Sequence, residues 1–313
     1  MGNLAEKTRL PGAAVYPIIL ALIFGIALVL RVTIPYDSVF GQDWVRFGVN
    51  DPWYHMRLVE NLVQHFPQQI TFDPFTWFPY GQDVPFAPFF DLLLGFFIWI
   101  IGLGSPSERT IEVVGAYFPA ILGALVTIPV YFIGRELFNR NVGLLSAGLI
   151  AVLPGEFLFR SLLGFTDHHI AEVLFSTLMA LFFILAIKRA REKDISFSHL
   201  WSRDYKNIGK PLLYALLTGL VLGMYLLSWI GALLFAFIIA VYIVIQYIID
   251  HLRGKSTDYL AIIGLPPFLI ALLMITPFPY PPYPGKGIVI ASLVLGMLAF
   301  PVLSGLSRLM AYR

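Results

Sequence analysis

The stretch KRAREKDISFSHLWSRDYKNIGK at residues 188–210 carries seven of the 21 Lys and Arg residues in a chain of 313 residues. Long apolar runs flank it, only 13% of all residues are charged, and the mean hydropathy is +0.79. Soluble domains carry about 25% charged residues, and about 20 consecutive apolar residues cross a bilayer as a helix. The composition therefore predicts an all-α polytopic membrane protein, and no nucleic-acid partner is expected.

Nine apolar runs are candidate membrane spans. They are residues 13–34, 88–104, 112–133, 142–159, 170–188, 211–228, 230–250, 258–277 and 287–306. Lys and Arg favour cytoplasmic loops, so the basic loop at residues 189–210 and the N-terminus with Lys7 and Arg9 are both predicted to be cytoplasmic. An even number of spans must separate two cytoplasmic segments, whereas five runs lie between these.

The run at residues 88–104 is the weakest of those five, because it is short, contains Asp91 and follows a stretch rich in Pro and Phe. We predict that it is a re-entrant or surface-lying helix. The chain then has about eight spans with both ends in the cytoplasm. Residues 35–111 form a long first external loop with amphipathic helices, and residues 160–169 form the second external loop.

Both external loops place ionisable residues at the membrane boundary, where such groups are costly and tend to be functional. Asp51 precedes a proline and a helical pattern, which is typical of a helix N-cap, and a capping carboxylate keeps lone pairs for a metal. Asp167 and His169 lie two residues apart in FTDHHIAE. The alternative is that Asp167 caps the next span and the histidines lie among lipid headgroups; the pattern assigns no role to His168 or Glu172.

Asp51, Asp167 and His169 form a candidate site for Mn²⁺ or Mg²⁺. Two carboxylates and one imidazole suit Mn²⁺, while imidazole is a less usual ligand of Mg²⁺. Arg160 adds a positive charge on the same face and can bind phosphate oxygens through two hydrogen bonds. A hard cation beside an arginine at the outer surface indicates a phosphate-bearing substrate.

Four stretches resemble the catalytic subunit of oligosaccharyltransferase, and its archaeal members in particular. They are GVNDPWYHMR, FTWFPYGQDVPFAPFFDLLL, FRSLLGFTDHHIAE and YLLSWIGALLF. The resemblance implies a membrane glycosyltransferase of the GT-C type, with Asp51, Asp167 and Arg160 as catalytic residues and with Asp51, Asp167 and His169 as metal ligands. It places Trp229 near a lipid-linked donor, for which an interfacial aromatic anchor is the alternative.

The family also has a glutamate motif in a later external loop and a soluble C-terminal domain that recognises the acceptor. Neither is found in this sequence. We therefore expect residues 1–313 to be a transmembrane glycosyltransferase domain that is inactive, or nearly so, without the remaining C-terminal part.

The predicted function is N-linked glycosylation, in which a glycan moves from a polyprenyl (dolichyl) phosphate or pyrophosphate to asparagine in Asn-x-Ser/Thr sequons. The expected partners are the lipid-linked donor, the acceptor polypeptide and the membrane, with the active site on the external face of the cell membrane. One alternative is a related GT-C enzyme that uses a hydroxyl acceptor. A transporter is less favoured, because the ionisable residues concentrate at span ends and no repeat is evident.

Overall fold

A computed structural model describes residues 12–41, 43–279 and 285–311, so Lys7 and Arg9 lie outside the described residues. As predicted, the described chain is nearly all helical. Its α-helices are α1 (Gly12–Thr33), α2 (Tyr36–Phe40), α3 (Asp51–Gln64), α4 (Pro88–Ile101), α5 (Glu108–Leu125), α6 (Thr127–Leu137), α7 (Arg140–Val152), α8 (Glu156–Phe159), α9 (His169–Glu192), α10 (Phe197–Trp201), α11 (Tyr205–Leu226), α12 (Leu233–Leu252), α13 (Asp258–Ile275) and α14 (Gly285–Ala311). A 3₁₀-helix at Ile230–Ala232 precedes α12, and β1 (Phe72–Asp73) pairs antiparallel with β2 (Gln82–Asp83).

Among the described residues, seven helical segments are long and apolar enough to cross a bilayer. They are Ala14–Thr33, Glu108–Leu137, His169–Glu192, Tyr205–Leu226, Ile230–Leu252, Asp258–Ile275 and Gly285–Met310. Each overlaps one of the eight predicted spans. The run at residues 88–104 forms the 14-residue α4, which is too short for this class, and its re-entrant or surface-lying position stays a prediction.

The remaining predicted span, residues 142–159, is shorter than expected because α7 has only 13 residues. Leu153 leaves the helix with extended backbone angles, since Pro154 disfavours a helical conformation in the residue before it. Gly155 then has φ 129°, a backbone angle that residues with a side chain rarely adopt. The chain turns here into α8, and this turn leads to the second predicted external loop.

The chain folds into two compact units. The first unit comprises the described residues of Met1–Arg57 and Ile100–Ile170, where α1 packs against α5 and α7, and α6 packs against α7. A Cβ added to Gly134 of α6 would lie 2.9 Å from the Cα of Gly143 of α7, so small residues allow these two helices to approach closely. All residues that the sequence placed in the metal and phosphate site belong to this unit.

The second unit comprises the described residues of Leu58–Trp99 and Ala171–Arg313, where α11 packs against α13, and α13 packs against α14. At the first of these contacts, a Cβ on Gly219 would lie 2.9 Å from the Cα of Pro267 and 3.0 Å from the carbonyl oxygen of Pro266. Both of these atoms are backbone atoms and have little freedom to move. The absence of a side chain at Gly219 therefore allows α11 to approach α13.

We predict that Gly219→Ala lowers the stability of the second unit, because the added methyl group forces α11 and α13 apart. Overpacking of this kind costs about 1–3 kcal/mol. The measurement is the midpoint of thermal unfolding in detergent. Gly209→Ala is the matched control in the same helix: it meets no atom within 4 Å, and alanine favours the helix. Equal midpoints for the two variants would contradict the packing argument.

Candidate active site

Residues 161–168 join α8 to α9 and are fixed by hydrogen bonds to other parts of the first unit. The amide of Gly164 donates to the carbonyl oxygen of Ala116 at 2.8 Å, and the amide of Gly48 donates to the carbonyl oxygen of Gly164 at 3.0 Å. The hydroxyl of Thr166 donates to the carbonyl oxygen of Gly115 at 2.8 Å. The segment is therefore fixed relative to α5 and to the chain around Gly48, both of which belong to the first unit.

Gly164 is the residue that allows this position. Its φ of +81° lies in the left-handed region that favours glycine, and a Cβ there would approach Val39 Cγ2 to 2.9 Å. Three residues later, Asp167 is 1% exposed. Its side chain faces groups supplied by α3 and by its own neighbours in the chain.

Two buried histidine side chains approach one oxygen atom of the buried Asp167 carboxylate. The Oδ1 atom lies 2.7 Å from Nδ1 of His168 and 3.4 Å from Nε2 of His55. The two imidazole nitrogens are 3.2 Å apart. His55 is fully buried and His168 is 8% exposed. We call these residues, His55, Asp167 and His168, the Asp167 cluster.

The Asp167 cluster has the chemistry of a cation site. Although two nitrogens lie close to it, the buried Oδ1 atom accepts no hydrogen bond of suitable geometry from the described residues, and a buried polar atom without a partner is costly. Ligand atoms bound at right angles to one ion, with bonds of about 2.1 Å, lie about 3 Å apart. The three distances between ligand atoms in the cluster, 2.7, 3.2 and 3.4 Å, lie on both sides of this value. A divalent cation would therefore satisfy the oxygen that the protein leaves unsatisfied.

The surroundings of Asp167 favour the ionised form of its carboxyl group. Burial raises the pKa of its carboxyl group, but the close approach and positive charge of His168 and His55 lower it, and the net direction is well below the usual range. An ionised carboxylate with adjacent imidazoles offers one hard and two borderline ligands, a set that suits Mn²⁺ or Zn²⁺ better than Mg²⁺.

The structure also brings His169, the second predicted ligand, to Asp167. Its Nε2 atom lies 3.6 Å from the other carboxylate oxygen, Oδ2, and its side chain is 30% exposed. Asp51, the third predicted ligand, is the first residue of α3 and is exposed. Within the described residues it joins no group of three close ligand atoms, so its role as a ligand stays a prediction.

Sequence reasoning did not assign the two other members of the cluster. His55 lies on the buried stripe of α3 that includes Leu58 and Leu62, at spacings of three and seven residues. A histidine within an apolar stripe is a signal for a buried polar site. His168 had no such signal, because its orientation depends on the non-helical turn before α9.

Arg160, the predicted phosphate ligand, follows α8 and forms an ion pair with Glu156, with Nε 2.7 Å from Oε2. Both side chains are partly solvent-exposed, at 38% and 77%, and exposed pairs of this kind contribute little stability. An anion can therefore replace Glu156 as the partner of the guanidinium. No distance places Arg160 beside Asp167, so its role remains a prediction.

Trp229 belongs to the second unit, where it precedes the 3₁₀-helix and is half-buried. Its ring stacks on Tyr225 at a centroid distance of 6.4 Å. A Cβ on Gly231 would approach the ring to 2.2 Å, so the indole lies directly over that glycine. The indole ring of Trp229 therefore has a fixed position. Its place near a lipid-linked donor stays a prediction.

Comparison with known proteins gives matches over most of the chain. Residues 18–311 match the family described as oligosaccharyl transferase STT3, N-terminal. The chain is similar to dolichyl-phosphooligosaccharide-protein glycotransferase 3 of Archaeoglobus fulgidus, with 36% identity over 261 residues. That alignment covers 83% of this chain and 29% of the relative.

Two solved structures of Archaeoglobus fulgidus proteins have a similar fold. The oligosaccharyltransferase AglB in complex with an inhibitory peptide and a dolichol-phosphate has a TM-score of 0.82 and 32% identity, covering 94% of this chain and 33% of that one. An oligosaccharyltransferase complex with Zn and sulfate has a TM-score of 0.80 and 31% identity, covering 93% and 35%. The chain thus spans about a third of the length of these relatives.

We predict that His55→Ala weakens binding of Mn²⁺ and Zn²⁺ to the purified chain by at least about tenfold, because it removes one of three converging ligands. Isothermal titration calorimetry in detergent measures the affinity. The control is His65→Ala, which changes an exposed histidine at the other end of the same helical region and leaves the affinity within about twofold of the unmodified chain. Equal affinities for the two variants would exclude His55 as a ligand.

Proposed function

The chain belongs to the STT3 family of oligosaccharyltransferases, and we propose on that premise that it is the membrane module of an enzyme of N-linked glycosylation. In this proposal, a glycan moves from a dolichyl phosphate or pyrophosphate carrier to asparagine in Asn-x-Ser/Thr sequons of an acceptor polypeptide. The Asp167 cluster is the observation that carries the proposal. It joins a buried, ionised carboxylate to two imidazoles in a chain that is otherwise strongly apolar.

The family and the seven long apolar helices make the chain an integral membrane protein with a GT-C-type fold. We place residues 35–111 and 160–169 on the external face of the cell membrane and residues 189–210 in the cytoplasm. The positive-inside rule supports this orientation. Residues 1–313 then act as the transmembrane domain of the enzyme, and the remaining part of the enzyme completes the acceptor site.

A divalent cation fits the proposed reaction. The residues that would hold it are Asp167, His169 and the predicted Asp51, together with His55 and His168 from the Asp167 cluster. When bound, Mn²⁺, Mg²⁺ or Zn²⁺ supplies Lewis-acid stabilisation of negative charge on a phosphate leaving group. The Zn and sulfate in the Archaeoglobus fulgidus complex support the pairing of a divalent cation with an anion.

The side chains of this protein bind and orient the two substrates. Arg160 exchanges its exposed partner Glu156 for phosphate oxygens of the donor, which match the planar guanidinium through paired hydrogen bonds. Asp167 and Asp51 accept hydrogen bonds from the amide of the acceptor asparagine. Trp229 contacts the lipid-linked donor through its fixed indole ring. The dolichol-phosphate and the peptide in the Archaeoglobus fulgidus complex support both substrate classes.

We expect Asp167→Asn, made in the full-length enzyme, to reduce glycosylation of an Asn-x-Thr peptide by at least about 100-fold, because an amide is a weak ligand for the cation and lacks the negative charge. Asp51→Asn has the same expected direction. The control is Asp43→Asn, an exposed carboxylate in the same predicted external loop, which keeps wild-type activity. The assay follows transfer of a labelled glycan from a dolichyl phosphate donor.

Chelation distinguishes the cation from the residues that surround it. Removal of metal with EDTA abolishes transfer, and added Mn²⁺ restores it in the wild type but not in Asp167→Asn. Wild-type turnover in excess EDTA would refute the role of a cation. Transfer to serine or threonine with no transfer to asparagine would favour a hydroxyl acceptor instead.

A further inference from the structure

Arg31, in the last turn of α1, is fully buried, and it has the largest side chain among the described residues that are less than 2% exposed. Its Nε atom donates to the hydroxyl of Ser161 at 2.8 Å. Its Nη1 atom donates to the carbonyl oxygens of Ala27 at 2.9 Å and Ala151 at 3.0 Å. The guanidinium carbon lies 5.0 Å from the centre of the Phe157 ring. The fork of this side chain therefore connects α1, the end of α7 and the α8 region.

The charge of Arg31 has no carboxylate partner among the described residues, and its Nη2 atom is buried without a hydrogen bond. Arginine at the end of a membrane span ordinarily extends its guanidinium toward the lipid headgroups. Here the guanidinium turns into the protein, where burying an unpaired charge is costly. Ala151 gives a partial electrostatic reason, because the carbonyl end of a helix attracts positive charge.

The contacts of Arg31 fall at the start of the segment that carries the Asp167 cluster. The hydroxyl of Ser161 accepts a hydrogen bond from the side chain of Arg31, and the amide of Leu163 donates to the backbone carbonyl oxygen of Arg31 at 3.0 Å. Gly123 of α5 encloses this point: a Cβ there would lie 2.5 Å from Ser161 Cβ and 2.6 Å from Nε of Arg31. The pair of Arg31 and Ser161 thus has one position between α1 and α5, and Asp167 follows six residues later.

We propose that Arg31 is a positioning residue that fixes the start of residues 161–168 and thereby sets the place of Asp167 and His168 relative to His55. Its Nε atom binds the hydroxyl of Ser161, and its Nη1 atom binds the carbonyl oxygen of Ala151, which precedes Ser161 in the chain. Its backbone carbonyl oxygen accepts from the amide of Leu163, which follows Ser161. The hydrogen bonds that the segment forms with α5, at Gly164 and Thr166, come after this point. Loss of the guanidinium frees the start of the segment, so the ligand atoms of the Asp167 cluster lose their common centre. The consequence for cation binding rests on the proposed function.

Two variants separate positioning from simple support of the fold. Arg31→Lys keeps the charge but loses the Nε donor and the planar fork. Ser161→Ala keeps the guanidinium and removes its hydroxyl partner, together with the bonds that this hydroxyl donates to the carbonyl oxygens of Phe157 and Leu158. Both variants are purified in detergent and compared with Arg109→Met, the control, which removes an exposed arginine that pairs with Glu112. Thermal unfolding identifies the variants that fold.

Two readouts are taken on each folded variant: the affinity for Mn²⁺ by calorimetry, and backbone hydrogen exchange of residues 161–168 by mass spectrometry. We expect both variants to bind Mn²⁺ at least about tenfold more weakly and to exchange the amides of Leu163 and Gly164 at least about tenfold faster. The amides of α13 and all properties of Arg109→Met stay as in the wild type.

Either folded variant with wild-type exchange at Leu163 and Gly164 overturns the proposal, and so does faster exchange with an unchanged Mn²⁺ affinity. If Arg31→Lys does not fold, Ser161→Ala decides alone. Failure of the wild-type chain to bind Mn²⁺ would instead refute the cation site. Hydrogen exchange then still measures whether Arg31 positions the segment.

Discussion

The cost of burying charge in an apolar chain organises the first unit of this protein. A fully buried guanidinium at Arg31 and a nearly fully buried carboxylate at Asp167 lie in the same unit, and the described residues do not pair them with each other. Each is held by neutral or titratable groups: Arg31 by carbonyl oxygens and a hydroxyl, and Asp167 by imidazoles. Pairing of the two charges would neutralise both. Their separation leaves Asp167 as an anion that is free to bind a cation.

Hydropathy predicted most of the membrane helices because each must bury its own backbone polar groups within one apolar run. Seven long helices follow the predicted spans, and α4 is short, as its Asp91 and its length indicated. The prediction failed in length at α7, where a run of apolar residues continues through Pro154 and Gly155. Hydropathy counts those residues as part of a span, whereas their backbone preferences end the helix.

The site was only partly predictable for a related reason. Asp167 and His169 were identified by their density of ligand atoms beside an apolar run, and the structure brings them to 3.6 Å. His55 lies more than 100 residues earlier, and only the packing of α3 brings its ring to Asp167. His168 follows Asp167 directly, and neighbouring side chains converge only where the backbone is neither helical nor extended. Local sequence patterns do not contain either of these tertiary conditions.

A cation site requires its ligand atoms to hold their positions to within tenths of an ångström, whereas the packing of apolar helices is non-directional. The first unit therefore needs directional bonds near the site, and it has them along residues 161–168. The segment is bonded at Ser161, Leu163, Gly164 and Thr166 before it reaches Asp167. Arg31 alone, a single buried residue, provides the bonds at two of these four residues, Ser161 and Leu163. An arginine is suited to this place because its planar fork can bind a hydroxyl and carbonyl oxygens at once, in directions that a lysine cannot match.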